Sequence, residues 1–356
     1  MAKIKIDNRE LETPDGTLVL KAARDAGYNI PSLCHDDNLP HYTSCMMCMV
    51  RDNRTKNYFA SCSVQVQDGM DLDVSSDDVI ALRKKSLELL FSEHRAECEA
   101  PCRMVCPAGY NIPLFNRHLS SKNFDAATEL TVNEVGETTL ACFNCQGYCE
   151  NACRRKKIDI PVSIRNMKIF IYSEKHPEAV NAELQQDSEK GRIKNIQVKR
   201  FNSLIGKLEP EEQAGWLKEA DPEVVRYRSI ENIQQAASES ASCMHCDCRA
   251  ANDCKFRDLA DSFMIKNPRG KLVNAPIEKK INKRTGLIFE NAKCIKCGLC
   301  VRLCEKNNYE PALCFINRGF ISIISEPLTE EFDDILTSGS REVAEICPTG
   351  ALSILK

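Results

Sequence analysis

The chain has 356 residues, 28% of them charged, a formal net charge of -3 and 21 cysteines. So even a balance leaves no basic footprint for nucleic acid, and a mean hydropathy of -0.36 with no long apolar run excludes a membrane span. A chain of this length buries a core without sulfur cross-links, and an odd number of cysteines in tight groups suits a metal framework better than disulfides.

The N-terminal MAKIKIDNRE enters a strand pattern directly and shows no export signal, so the expected compartment is a reducing cytoplasm. Lys3 to Ile6 alternate as a strand. Leu11 to Leu20 contain a turn at Pro14, Asp15 and Gly16 and then a second strand, and Lys21 to Gly27 read as a short helix. A loop follows with Cys34, Cys45 and Cys48, then the strand-like MCMVR, Cys62, and apolar positions Val64, Val66, Met70 and Leu72 before about Ser75.

The four cysteines are spaced by ten, two and thirteen residues, and four thiolates are what a [2Fe-2S] cluster takes. The alternative is zinc, which usually pairs two CxxC knuckles, whereas one CxxC occurs here. The pattern over 1-75 resembles the N-terminal domain of the large iron-sulfur subunit of complex I and of multisubunit iron hydrogenases. That resemblance implies a β-grasp [2Fe-2S] ferredoxin domain.

From Ser76 the sequence turns helical. Val79, Leu82, Leu87, Leu90 and Phe91 share a face, Ser76 is the expected cap, and Asp77 and Asp78 occupy the first turn. The stretch ECEAPCRMVCPAGYNIP then carries Cys98, Cys102 and Cys106, and LACFNCQGYCENACRRKKIDIPVSI carries Cys142, Cys145, Cys149 and Cys153. The CP followed by GYNIP, the later CxxxC and the trailing IPVSI resemble the double [4Fe-4S] domain of the glutamate synthase small subunit and dihydropyrimidine dehydrogenase, from Glu93 to near Tyr172. This resemblance implies a central α-helical domain, 76-172, with two clusters.

Two departures from that family matter. Only Cys98 precedes Cys102, with His94 near the place of the missing cysteine, and Lys168 stands where the family has a Gln or Glu ligand. Cys145 is additional. The resemblance therefore implies one set of Cys98, Cys102 and Cys153 with His94, Glu93 or Glu97 being alternatives to the histidine. Cys106, Cys142, Cys145 and Cys149 make the other. The run Arg154, Arg155, Lys156 and Lys157 is expected to be solvated, or else to raise a neighbouring potential or dock an acidic partner.

Between 173 and 240 cysteines are absent and runs such as EEQAGWLKEA suggest a helical connector, with Trp216 packed beneath it. The C-terminal segment, 241-356, opens with Cys243, Cys246, Cys248 and Cys254. These are expected to form an all-cysteine [4Fe-4S] set, with His245 as a neighbouring donor and a zinc knuckle as the alternative. NAKCIKCGLCVRLC then has the CxxCxxCxxxC spacing of bacterial ferredoxins. The stretch before Cys347 lacks a second triplet, so Cys294, Cys297, Cys300 and Cys347 are assigned to one cluster, leaving Cys304 and Cys314 as thiols. With FINRGF between, 241-356 again resembles the complex I and iron hydrogenase subunits and implies a ferredoxin-like [4Fe-4S] domain.

Nineteen cysteines and His94 make twenty donors, which suit one [2Fe-2S] and four [4Fe-4S] clusters in an α+β chain. No two of the 15 glycines are spaced as GxG, and no GxxxxGK[ST] loop occurs, so nucleotide fingerprints are missing. The active-site domain that follows in hydrogenases and the flavin domain of glutamate synthase are likewise not expected here. With no catalytic residue, the reading is an electron-transfer subunit of a cytoplasmic, anaerobic, hetero-oligomeric oxidoreductase. It would link a flavoprotein NAD(P)H-binding subunit to a further redox subunit or soluble ferredoxin. The competing classes are a self-contained iron-sulfur reductase and a zinc-binding interaction protein.

Overall fold

A computed structural model of the chain describes residues 1-95, 97-135, 141-175, 206-265 and 278-355. The middle of the expected connector, 176-205, lies outside the described residues. The chain divides into two compact units: one from Met1–Arg95, Asn252–Pro276 and Ile281–Leu355, the other from Ala96–Ala251 and Ile277–Lys280. Both strands and helices are well represented, as an α+β chain requires.

In the first unit, five strands form one sheet: β1 (Ala2–Ile6), β2 (Arg9–Thr13), β3 (Met49–Asp52), β4 (Tyr58–Ala60) and β5 (Asp71–Asp73), in the order β2-β1-β5-β3-β4. The alternation in β1 turns Ala2, Ile4 and Ile6 inward against Val19, Leu20, Ala23, Val50 and Leu72. β1 and β2 join through Asp7 and Asn8, both at positive φ, the left-handed pair that a two-residue hairpin turn demands. The second strand is thus β2, before the Pro14 turn and not after it. Leu18 contributes only an isolated bridge to Gln65, and the helix starts at Val19, where Val19, Leu20, Ala22 and Ala23 bury one face. β5 runs parallel to β1 and pairs Leu72 with Ile6, placing the chain's return beside its start.

The helix Asp77–Glu93 buries Val79, Leu87 and Phe91, each worth about 1.5–3 kcal/mol on full burial, while Leu82 and Leu90 are half-buried. Ser76 holds the cap position, but its hydroxyl bonds the Asp78 carboxylate and no backbone amide. Asp78 is already engaged with Arg51 and Tyr58, and this ionic cluster anchors the helix start to the sheet. Arg83, 4% exposed, closes the junction by donating to the Met49 carbonyl at 2.8 and 3.0 Å.

The C-terminal part of this unit pairs strand Leu287–Glu290 antiparallel with Leu352–Ile354, and Cys314–Ile316 with Ile323–Ser325. Helix Leu299–Asn307 packs with them through Cys300, Val301 and Cys304. Gly298 caps that helix at φ 70, and a Cβ there would stand 3.3 Å from the rings of Phe315 and Tyr42, so both conformation and space select glycine.

The second unit is helical. Helices Ile112–Ser120, Phe124–Val135, Ile164–Lys175 and Ile233–Ala241 enclose Tyr110, Ile112, Phe115, Leu119, Met167, Ile171 and Ala236. Asn111 caps the first of these by accepting the Leu114 amide at 3.3 Å, and Tyr110 is tied to Thr131 at 2.7 Å. Trp216 is buried, as expected, between Arg154 and Lys279, whose cations stand 5.6 and 4.5 Å from its ring.

Candidate metal centres

The first donor group is built where the loop after the short helix crosses the end of the sheet. Cys34, Cys45, Cys48 and Cys62 are all buried, and their thiols act on one another in two pairs, Cys34 with Cys45 and Cys48 with Cys62. Within each pair one sulfur ionises first. The Cys45 thiol, with the amides of Cys45 and Ser44, lowers Cys34 to about 5, and the Cys62 thiol lowers Cys48 to about 7. Two pairs of thiolates, one pair per iron, are what a two-iron cluster takes. The amides of Ser44 and Cys45 both reach Cys34 Sγ at 3.5 Å, and that of Leu33 reaches Cys45 Sγ at 3.4 Å, so the backbone is already arranged for negative sulfur.

In the same unit, Cys294, Cys297, Cys300 and Cys347 line one small cavity, walled by Phe289, Ile324 and Leu352. Burial raises Cys294 to about 12 and Cys297 and Cys300 further, with mutual repulsion adding to it. Thiols in that condition keep their protons unless a cationic centre takes them, which is how an iron cluster binds. Cys304 sits one turn further along the helix in the hydrophobic core, raised to about 11 by burial, and Cys314 lies on a strand.

Arg302 connects these two groups. It is 7% exposed and its guanidinium donates to the carbonyls of Cys34 at 2.7 Å, Pro40 at 2.5 Å and Gly298 at 3.2 Å, with a longer contact to Cys297 at 3.5 Å. Its position in a cysteine-rich helix gave no signal in the sequence. His94 is also in this unit. Its Nδ1 lies 2.8 Å from the carbonyl of Lys293, beside Cys294, and its ring is held edge-on to Phe256 and Phe91. Burial lowers it to about 4, so the ring is neutral. Donation through Nδ1 fixes the tautomer and leaves Nε2 as the ring's lone-pair atom. Cys254 heads helix Lys255–Ser262 and accepts the Arg257 amide at 3.4 Å.

The second unit brings together Cys102, Cys153, Cys243 and Cys246, which line one cavity with Asn116, Arg154 and Arg155. Cys102 and Cys153 thus line a cavity with Cys243 and Cys246, two pairs that the sequence reading set in different groups. The physical reason is the packing of helix Ile233–Ala241 against Ile112–Ser120, which carries the 243-246 turn to the Cys102 side. Cys248 instead donates its amide to the Cys98 carbonyl at 3.0 Å. Burial, then repulsion from Cys153, Cys243 and Cys246, pushes Cys102 far up; Cys243 falls because His245 outweighs burial through charge and a hydrogen bond.

Helix Ile164–Lys175 packs on the two short helices Ala141–Asn144 and Tyr148–Asn151, which carry Cys142 and Cys149; burial raises both thiols, Cys149 to about 12, and Cys106 and Cys145 add repulsion at Cys142. Lys168, on that packed helix, is buried and its ammonium faces the Tyr110 ring at 5.1 Å. The basic run is half interior: Arg154 pairs with Glu97 at 2.8 Å and Arg155 with Asp159 at 2.7 Å, while Lys156 and Lys157 are exposed. A solvated run would have left all four outside.

Among the described residues no three donors converge closely enough to share a single metal ion. Grouped, buried thiols are the donors that iron-sulfur clusters take, and His94, Cys98, Cys248 and Cys254 are the sequence-predicted donors that none of the thiol groups described above includes.

A family model described as a 2Fe-2S iron-sulfur cluster binding domain matches residues 1-77, and one described as dihydropyrimidine dehydrogenase domain II, 4Fe-4S cluster, matches residues 89-180. An NADH-quinone oxidoreductase subunit of Rickettsia bellii is 33% identical over 98 residues, 28% of this chain but 14% of that protein. The mitochondrial NADH-ubiquinone oxidoreductase 78 kDa subunit of Candida albicans is 31% identical over 107 residues, 30% of this chain and again 14% of its own length. The chain thus spans only a small part of these longer relatives. In fold, it is similar to a chain of the crystal structure of NAD+-reducing [NiFe]-hydrogenase in the H2-reduced state, with TM-score 0.50, 17% identity, and coverage of 99% of this chain and 87% of that one. The gamma subunit of the NAD-reducing hydrogenase HoxS of Cupriavidus necator is 32% identical over 194 residues, 51% of this chain and 76% of that protein. On that similarity, joined to the paired and grouped thiols, the chain belongs to the family of the HoxS gamma subunit, an iron-sulfur subunit of an electron-transferring oxidoreductase.

Proposed function

We propose that this chain conducts single electrons inside a hetero-oligomeric complex, between a flavoprotein that exchanges hydride with NAD(P)H and a further redox subunit or soluble ferredoxin. The observation that carries the reading is the Arg302 junction, where one buried guanidinium holds the backbone of Cys34 and touches that of Cys297. Two donor groups fixed to one another by a rigid fork have a set separation, which a conductor needs and two independent structural metal sites do not. Iron-sulfur clusters, when bound, supply one-electron chemistry, and a flavin partner is required to divide a hydride pair.

The residues themselves hold and tune. Cys34, Cys45, Cys48 and Cys62 suit a [2Fe-2S] cluster. Cys294, Cys297, Cys300 and Cys347 suit one [4Fe-4S] cluster, as do Cys102, Cys153, Cys243 and Cys246, and Cys106, Cys142, Cys145 and Cys149. His94 and Cys254 in the first unit, and Cys98 and Cys248 in the second, are the further donors that the sequence reading assigns to clusters. Backbone amides on Cys34, Cys45 and Cys294 stabilise the thiolates, and apolar walls such as Phe289 and Leu352 exclude water.

Anaerobic purification followed by iron, sulfide and zinc analysis tests this. One two-iron and four four-iron clusters correspond to about 18 iron atoms per chain. NADH should bleach the visible absorbance only when a flavoprotein partner is added. Zinc in place of iron, or bleaching by NADH with the purified chain alone, overturns the reading.

A further inference from the structure

Lys168 lies on helix Ile164–Lys175 with Ile164, Met167 and Ile171, all buried, so the helical period turns its side chain into the core of the second unit. Only 3% of it is exposed. Burying an ammonium is costly unless another charge compensates it. The other buried lysines have carboxylates for that purpose: Lys279 pairs with Glu219 at 2.5 Å and Lys293 with Glu290 at 2.6 Å. Lys168 pairs with no carboxylate among the described residues. Its ammonium lies over the face of Tyr110 at 5.1 Å, and its helix packs against the two short helices Ala141–Asn144 and Tyr148–Asn151 that carry Cys142 and Cys149, whose sulfurs, with that of Cys106, act on its charge.

A π-face compensates an ammonium only in part. Three thiols compensate it fully once they are thiolates, which is their state when they bind iron. Cys145 supplies a fourth thiol to the same group, so Lys168 need not act as a ligand. Charge and coordination are thereby divided between different residues.

We propose that Lys168 is the resident countercharge of the cluster held by Cys106, Cys142, Cys145 and Cys149, and that it raises the reduction potential of that cluster above the value its thiolates alone would give. The cause is electrostatic. Reduction adds one negative charge beside a fixed positive one in a medium that screens poorly. This rests on the cluster assignment above.

The test is an EPR-monitored potentiometric titration of the intact, iron-loaded protein with Lys168→Met, which keeps the stem and removes the charge, and Lys168→Arg, which keeps the charge. The cluster is identified by the signal that Cys106→Ser abolishes. Lys168→Met should lower its one-electron reduction equilibrium roughly tenfold or more, about 59 mV, with the other signals unmoved. Lys168→Arg should stay near wild type. Loss of this cluster in the Met variant with retention in the Arg variant carries the same conclusion, since charge is what separates the two. An unmoved midpoint in the Met variant, or equal loss in both variants, overturns it. Iron per chain separates the two failures: a wild-type protein without iron sinks the cluster assignment, whereas full iron with an unmoved midpoint sinks only the role of Lys168.

Discussion

Replacing Arg302 by methionine removes a charged fork while keeping most of its apolar bulk. The guanidinium has two acceptors far away in sequence, the Cys34 carbonyl at 2.7 Å and the Pro40 carbonyl at 2.5 Å, and it covers the Tyr42 ring at 5.6 Å. A hydrogen bond to a charged group is worth about 1.5–3 kcal/mol, so loss of both costs the loop about 3–6 kcal/mol, less whatever water recovers at the Pro40 side. At about 1.4 kcal/mol per tenfold, the lower bound opens the Cys34 to Cys45 loop about a hundredfold more often. Amide hydrogen exchange reads this directly at Ser44 and Cys45, whose amides are directed at Cys34 Sγ. Lysine at the same position offers a point charge without the fork and should recover only part of the protection. Wild-type exchange at Ser44 and Cys45 in Arg302→Met, with the [2Fe-2S] signal intact, would refute the junction on which the proposed function leans.

Two further outcomes follow from the donor groups. Cys145→Ser should lower the iron content by up to about four atoms per chain, whereas Cys314→Ser, on a strand outside every donor group, should leave iron and spectrum unchanged; equal effects would contradict the grouping. In the iron-free chain His94 makes stability depend on pH, because burial lowers it from 6.5 to about 4. Between those values the unfolded chain binds a proton that the native ring refuses, so stability is full above pH 6.5 and falls as pH drops, by about 3 kcal/mol in all. Denaturant midpoints at pH 5 and 7 should differ in wild type and much less in His94→Gln.

Two of the thiol groups are legible wherever the donors are local. Cys34, Cys45 and Cys48 belong to one loop, and Cys294, Cys297 and Cys300 to one turn and helix start, so spacing alone brings them near each other. The group of Cys102, Cys153, Cys243 and Cys246 was not legible, because its members are separated by up to about 140 residues and meet only through helix packing. One signal was available. Cys246 and Cys248 are two positions apart, and with only Asp247 between them they are hard to aim at one small cofactor. Asp247 is itself turned aside into a two-pronged bond with Arg117, at 2.9 and 2.8 Å. The β2 error has a similar origin: Asp7 and Asn8 were a sufficient turn signal, but the Pro14, Asp15, Gly16 run is the louder one.

The buried cations beside the thiols are the residues that spacing could not interpret, and their partners distinguish what each does. Arg302 donates to carbonyls, so its loss should be felt in the loops it holds. Arg154 acts on Cys246, but Glu97 stands 2.8 Å from it, and a paired charge presents a weakened field to the sulfur. Lys168 has no carboxylate partner among the described residues, so its field acts undivided on Cys106, Cys142 and Cys149. A net charge of -3 conceals this arrangement, because it counts the cations without their partners. The same logic separates stability from potential. A cation on backbone oxygen secures geometry, a cation shared with a carboxylate fills space at little electrical consequence, and a cation left to the thiolates biases where an electron rests.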